Sequence, residues 1–120
     1  MAGISAERFE QNVRKACEQS EIVVRIAILS ESSHHIRLRV FLTVRSLLDI
    51  YYNQTTQKTA FAHIQKARRI FGADNTNGFW HWHPVEDPEK HVPADKEIAF
   101  GEFLRCVEEN LVKHENDLDC

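Results

Sequence analysis

Apolar residues recur along this chain with two different periods, and the changes between them divide it into elements. In residues 6–18, Phe9, Val13, Ala16 and Cys17 fall on one helical face. Ser5 stands where a hydroxyl can accept from the free amides of the first turn, and Ile4 and Phe9 occupy the two positions of a hydrophobic staple. From Glu21 the period becomes two: Ile22, Val24, Ile26 and Ile28 alternate with Val23, Arg25, Ala27 and Leu29, a β-branched run that predicts a strand. Residues 30–33 are a polar turn. Beyond it Ile36, Leu38, Val40, Leu42 and Val44 alternate with Arg37, Arg39, Phe41, Thr43 and Arg45, which predicts one core face and one open, basic face.

Residues 47–53 predict a third strand, and 53–58 supply turn-forming polar side chains. Residues 59–71 fit two patterns, because Ala60, Phe61, Ile64, Ala67, Ile70 and Phe71 also align on one side of a helix. The reading adopted is two short strands, 59–65 and 69–73. From Asp95 helical spacing returns, with Phe100, Phe103, Leu104, Val107 and Leu111 in one stripe opposite Glu102, Arg105, Glu108 and Glu109. The expected architecture is α+β: an antiparallel sheet of about five strands with N-terminal and C-terminal helices packed on one face. The expected single domain divides into a helix at 1–20, the sheet at 21–73, a loop rich in His, Trp and Pro at 74–97, a helix at 98–114 and an acidic tail at 115–120.

Composition narrows the class. A chain of 120 residues is long enough for one core that needs neither disulfide nor metal to fold, and 42% hydrophobic with 28% charged residues is ordinary for a globular protein. No apolar run is long enough to span a bilayer, and Glu7, Arg8 and Glu10 interrupt any signal-peptide core, so the expectation is a cytoplasmic protein with no membrane partner. Cys17, Cys106 and Cys120 lack the paired spacing of a zinc knuckle or redox motif and read as reduced thiols. The net charge of −3 gives no global attraction to nucleic acid, though a local basic face remains open.

The candidate chemistry concentrates between Asp74 and His91. This stretch holds both tryptophans, Trp80 and Trp82, the pair His81 and His83, and an Asp74-Asn75-Thr76-Asn77-Gly78 turn; Pro84, Pro88 and Pro93 lie in it or just beyond. It is longer than the roughly 12–15 residues above which an unstructured connection in a compact domain is uncommon unless functional. An extended backbone puts both imidazoles on one side and Trp82 on the other. With Asp74 and His91 they form a set able to bind zinc or another divalent metal, candidates His81, His83 and His91, or to shuttle protons without one. The plain alternatives stand beside these: histidines that accept backbone hydrogen bonds, an Asp-Asn step that fixes a turn, and tryptophans that pack. Arg37, Arg39, Arg45 and Arg69 are candidate phosphate contacts, with Phe41, Tyr51 or Tyr52 available to stack on bases and Trp82 a further candidate substrate contact, and the alternative is a solvated strand face. Asp49 and Glu86 are further carboxylates of open orientation, while Cys17 and Cys106 lie on the apolar helix faces, where packing outweighs a nucleophilic role.

Leu48-Asp49-Ile50-Tyr51-Tyr52-Asn53, then Arg69-Ile70-Phe71-Gly72-Ala73-Asp74-Asn75, His81-Trp82-His83-Pro84 and the Phe103-Leu104 helix follow one another in an order that resembles a family of small prokaryotic proteins including the TumE-type toxins of toxin-antitoxin pairs. The resemblance covers more than half the chain. It implies a strand before the Asp-Asn step, an RNA-directed toxin with a ribonuclease-like activity, and neutralisation by a helix-turn-helix antitoxin. Where relatives place Asp-Gly turn pairs, this chain has Val44-Arg45, Gln57-Lys58 and Ala67-Arg68. A non-catalytic binding module, with Trp80, Trp82 and the histidines as contacts, is the rival expectation, and a purely structural loop the third.

Overall fold

The computed structural model describes residues 3–112; the expected acidic tail lies outside the described residues. Ser5 caps α1 (Ala6–Glu18), its hydroxyl accepting from the Arg8 amide at 3.0 Å. The chain then runs as an uninterrupted antiparallel meander, β1 (Val23–Glu31), β2 (His35–Leu42), β3 (Leu47–Asn53), β4 (Thr59–Gln65), β5 (Arg68–Asp74), β6 (His81–His83) and β7 (Val92–Pro93), before α2 (Phe100–Val112). Every strand pairs with its neighbour in sequence.

The sheet thus has seven strands, which corrects the expectation of about five. The two extra strands come from the stretch read as a loop. Asn77 and Gly78 adopt left-handed backbone (φ 66° and 84°), a conformation these two residue types accept at low cost, and the chain reverses within a short 3₁₀ turn. At three and two residues, β6 and β7 are too short to display a period of two. Pro93 is tolerated because β7 is the edge of the sheet among the described residues.

The alternation in β2 and β3 sorts as the pattern requires, with Ile36, Leu38, Val40, Leu42, Leu48, Ile50 and Tyr52 buried. Both helices cover this face. Phe9 of α1 stacks on Tyr52 at 4.5 Å, and Phe103 of α2 sits between Phe61 and Phe71 at 5.2 and 5.3 Å. Cys17 is free and buried and Cys106 is buried, while Cys120 lies outside the described residues. Among the described residues no helix is long and apolar enough to cross a membrane.

Register decides what the uncovered face carries. Arg39, Asp49, Ala62, Gly72 and His83 lie opposite one another across β2 to β6, and so do Arg37, Tyr51, Ala60, Asp74 and His81. Trp82 pairs with Ala73, a buried core residue, and stacks on Phe71 at 5.6 Å. The histidines therefore point away from the helices and Trp82 points toward them.

Candidate metal centre

The centre is assembled at the β5–β6–β7 edge. Asn75 locks the end of β5 to the start of β4: its Oδ1 accepts from the Thr59 amide at 2.9 Å, and its Nδ2 donates to the Gln57 carbonyl at 2.8 Å. That fixes Asp74, the preceding residue. Asp74 pairs with His81 across the sheet, and Gly72 with His83, so the carboxylate lies beside both imidazoles. Pro84 to Lys90 folds back through two tight turns, closed by Asp87 N–H to the Pro84 carbonyl and Lys90 N–H to the Asp87 carbonyl at 3.2 and 2.9 Å. The return strand brings the His91 ring to 4.7 Å from the rings of both His81 and His83.

His81 and His83 are buried and His91 is exposed; one ligating atom from each lies within 4.8 Å of the others, so the cluster is capable of coordinating a metal ion. Its hydrogen bonds are more telling than its compactness. His81 Nδ1 lies 3.1 Å from the Phe79 carbonyl and His83 Nδ1 lies 3.1 Å from the Pro88 carbonyl. A carbonyl only accepts, so each Nδ1 must carry the proton. In a neutral imidazole that leaves Nε2 bare. Yet His81 Nε2 stands 3.0 Å from Asp74 Oδ1, and His83 Nε2 stands 2.9 Å from Asp74 Oδ2. Acceptors thus face acceptors unless the space between them holds positive charge: protons on both rings, or a cation.

The two rings differ in one respect. His83 Nε2 is aligned with Asp74 for a hydrogen bond, whereas His81 Nε2 is close to the carboxylate but misaligned, and it is buried with no hydrogen-bond partner. The distance alone overstates that contact, because a hydrogen bond weakens steeply with angle. Burial by itself would raise the Asp74 pKa, but the backbone N–H of Thr76, the His83 hydrogen bond, the Thr76 side chain and the charge of His81 together hold it below the ordinary carboxylate value. Asp74 is kept as an anion.

Carbonyls on Nδ1 are the outer contacts that orient metal-ligating imidazoles through Nε2. Adjacent ligands of a tetrahedral site with bonds near 2.05 Å are about 3.3 Å apart, and of an octahedral site about 2.9 Å. Asp74 already stands at such distances from both Nε2 atoms. His91 does not: its ring is stacked parallel to His81 with 5° between planes, so it must turn to converge, and its exposure leaves it free to do so. A cleft of about 510 Å³ opens beside His81 and His91, walled by Phe79 and Trp80 and rimmed by Asp95, Lys96 and Glu97.

Asp74, His81, His83 and His91 are therefore brought together. Of the four arginines Arg69 adjoins them, sharing the Pro88 carbonyl with His83 Nδ1, and the other three lie elsewhere. Arg37 forms a double contact with Asp49 (3.1 and 2.6 Å), Arg69 donates to the Pro88 carbonyl at 2.8 Å, and Arg45 sits in the β2–β3 turn. Arg39 lies four strands from His83, roughly 19 Å at ordinary strand spacing. Glu86 is exposed on the β6–β7 loop. Gly72 was missed. A Cβ there would stand 3.0 Å from the Phe61 carbonyl, 3.2 Å from Arg69 Cδ and 3.7 Å from His83 Cδ2. Its signal was an isolated glycine in a strand pattern, which marks close approach.

No protein-family model matches the chain, and neither a curated protein nor a solved structure does so. The resemblance to TumE-type toxins accordingly rests on the residues quoted for it.

Proposed function

We propose that the protein binds a divalent transition metal through Nε2 of His81 and His83, a nitrogen of His91 and the Asp74 carboxylate, and that the site is catalytic rather than structural. The observation that carries this is the convergence of two imidazoles on one carboxylate: Nδ1 of each ring is committed to a carbonyl, both Nε2 atoms lie within 3.0 Å of Asp74, and that of His81 is buried without a hydrogen-bond partner. Imidazole donors with one carboxylate favour zinc, cobalt or iron over magnesium or calcium, which prefer all-oxygen sites. An ion of this class, with a ligand position left to solvent, lowers the pKa of bound water and supplies a nucleophile near neutral pH. The cleft beside His81 and His91 supports a catalytic reading, because a purely structural ion is normally enclosed by protein ligands.

Calorimetric titration with zinc tests the binding. One ion per chain should be taken up by the purified protein, with at least tenfold weaker uptake by His81→Ala and by Asp74→Asn, whose folding is checked by circular dichroism. Equal uptake by wild type and both folded variants overturns it.

The narrower form of this reading is an RNA-directed toxin restrained by a helix-turn-helix antitoxin. Its support is the resemblance through Arg69 to Asn75 and His81 to Pro84, together with arginine side chains on the same sheet face as the histidines. Metal-loaded protein should cleave single-stranded RNA, and the His81→Ala/His83→Ala form should not. Intact RNA with saturated wild type contradicts the toxin reading and leaves the metal site standing.

A further inference from the structure

A second concentration of charge lies at the other end of the uncovered sheet face. Because Leu47 pairs with Ile64, the β2–β3 and β4–β5 turns emerge side by side. Arg45 occupies the first turn and Lys66 the second, both with left-handed backbone. Together with Arg39 they line a cleft of about 610 Å³ whose floor includes Phe41, Leu47 and Ile64.

None of these three cations has an acidic or hydrogen-bonding partner among the described residues. Arg39 is the decisive member. Its cross-strand neighbour Asp49 pairs with Arg37 instead, and Arg39 Nε is buried without a partner. A buried guanidinium N–H with nothing to donate to is costly unless an acceptor arrives from outside. Arg25 adds a fourth positive charge nearby, its guanidinium lying 4.1 Å above the Phe41 ring. In a chain of net charge −3 this cluster runs against the overall balance.

We infer that the cleft between the β2–β3 and β4–β5 turns is an anion site for a phosphate-bearing ligand. Two guanidinium groups and one ammonium match the several oxygens and the double charge of a phosphate monoester better than the single charge of a carboxylate. The apolar floor receives the group that carries the phosphate. The site does not depend on the metal centre, from which Arg39 is four strands removed.

The probes are inorganic phosphate, a nucleoside monophosphate and a short single-stranded RNA, each titrated into isotopically labelled protein and followed by NMR. Saturable shifts at Arg39, Arg45 and Lys66 with phosphate or the monophosphate identify a monoester site. The same shifts with RNA alone, steeply weakened by salt, identify a phosphodiester as the source. Either requires that Arg45→Gln/Lys66→Gln, both exposed turn positions, weaken binding by about tenfold or more. Absence of saturable shifts at the three cations with every probe, or unchanged affinity in the folded Arg45→Gln/Lys66→Gln protein, overturns the proposal.

Discussion

Two buried positions and one half-buried carboxylate show how much depends on single residues. His63 is fully enclosed on the helix-covered face, its Nε2 2.9 Å from the Ser46 hydroxyl, and desolvation pushes its pKa from 6.5 down to about 4. The folded state therefore takes up this proton only near pH 4, while the unfolded chain takes it up near 6.5. Stability is fully present above pH 6.5 and falls as pH drops toward 4, by roughly 3 kcal/mol in all. Urea unfolding across that window should show the loss in wild type and a flatter profile in His63→Leu/Ser46→Ala; parallel profiles contradict it. Gly72 sets a different constraint. In Gly72→Ala the new methyl meets a backbone carbonyl at 3.0 Å and crowds Arg69 and His83, so about 1–3 kcal/mol of destabilisation should accompany weaker zinc binding. Thermal melting and calorimetry on the same sample check both, and an unperturbed Gly72→Ala protein would count against the close packing behind His83. Asp74 completes the set, held as an anion by Thr76 and His83 despite partial burial.

Among the elements, the hairpins hold without the residues their turns favour. Lys66 and Ala67 both have positive φ (54° and 63°) in a two-residue connection, a geometry that Asn-Gly normally supplies. Ala67→Gly should therefore stabilise the protein by about 1 kcal/mol, the relief of left-handed strain exceeding the added chain entropy; a lower urea midpoint would contradict this. The same hairpins explain which elements were legible. Long alternating runs in β2 and β3, and the single apolar stripe of each helix, announce themselves because burial on one face imposes a period. The β4–β5 pair was readable only with help from the resemblance. β6 and β7 were not readable as strands, because their pairing is imposed by the Asn77-Gly78 reversal and by β5 rather than by any pattern of their own. The site was legible as a group of residues, Asp74 with His81, His83 and His91, and not as a geometry. The carbonyls of Phe79 and Pro88 that orient the rings belong to backbone, which no side-chain motif reveals. Strand alternation identified a basic face but could not show that Asp49 holds Arg37 while Arg39 lines the cleft with Lys66.

At the scale of the whole molecule, the two helices cover one sheet face and leave the chemistry on the other. The histidine cluster occupies the late-sequence edge, where the 84–91 turns and β7 add little buried apolar surface of their own. An ion tying His91 to His81 and His83 should therefore stabilise this edge selectively. Hydrogen exchange of the amides in 84–93 should slow on metal addition while exchange in β2 and β3 stays unchanged. The melting temperature should rise with metal concentration, corresponding to about 2.7 kcal/mol at a hundredfold excess over Kd, and a chelator should reverse it. The most direct test is a cobalt(II) titration of the purified, metal-stripped protein followed by visible absorption. The account predicts a saturable band of tetrahedral or five-coordinate intensity at one cobalt per chain, displaced by zinc and lost in His81→Ala/His83→Ala. A folded wild-type protein that develops no such band, or one whose band survives removal of both histidines, would contradict it.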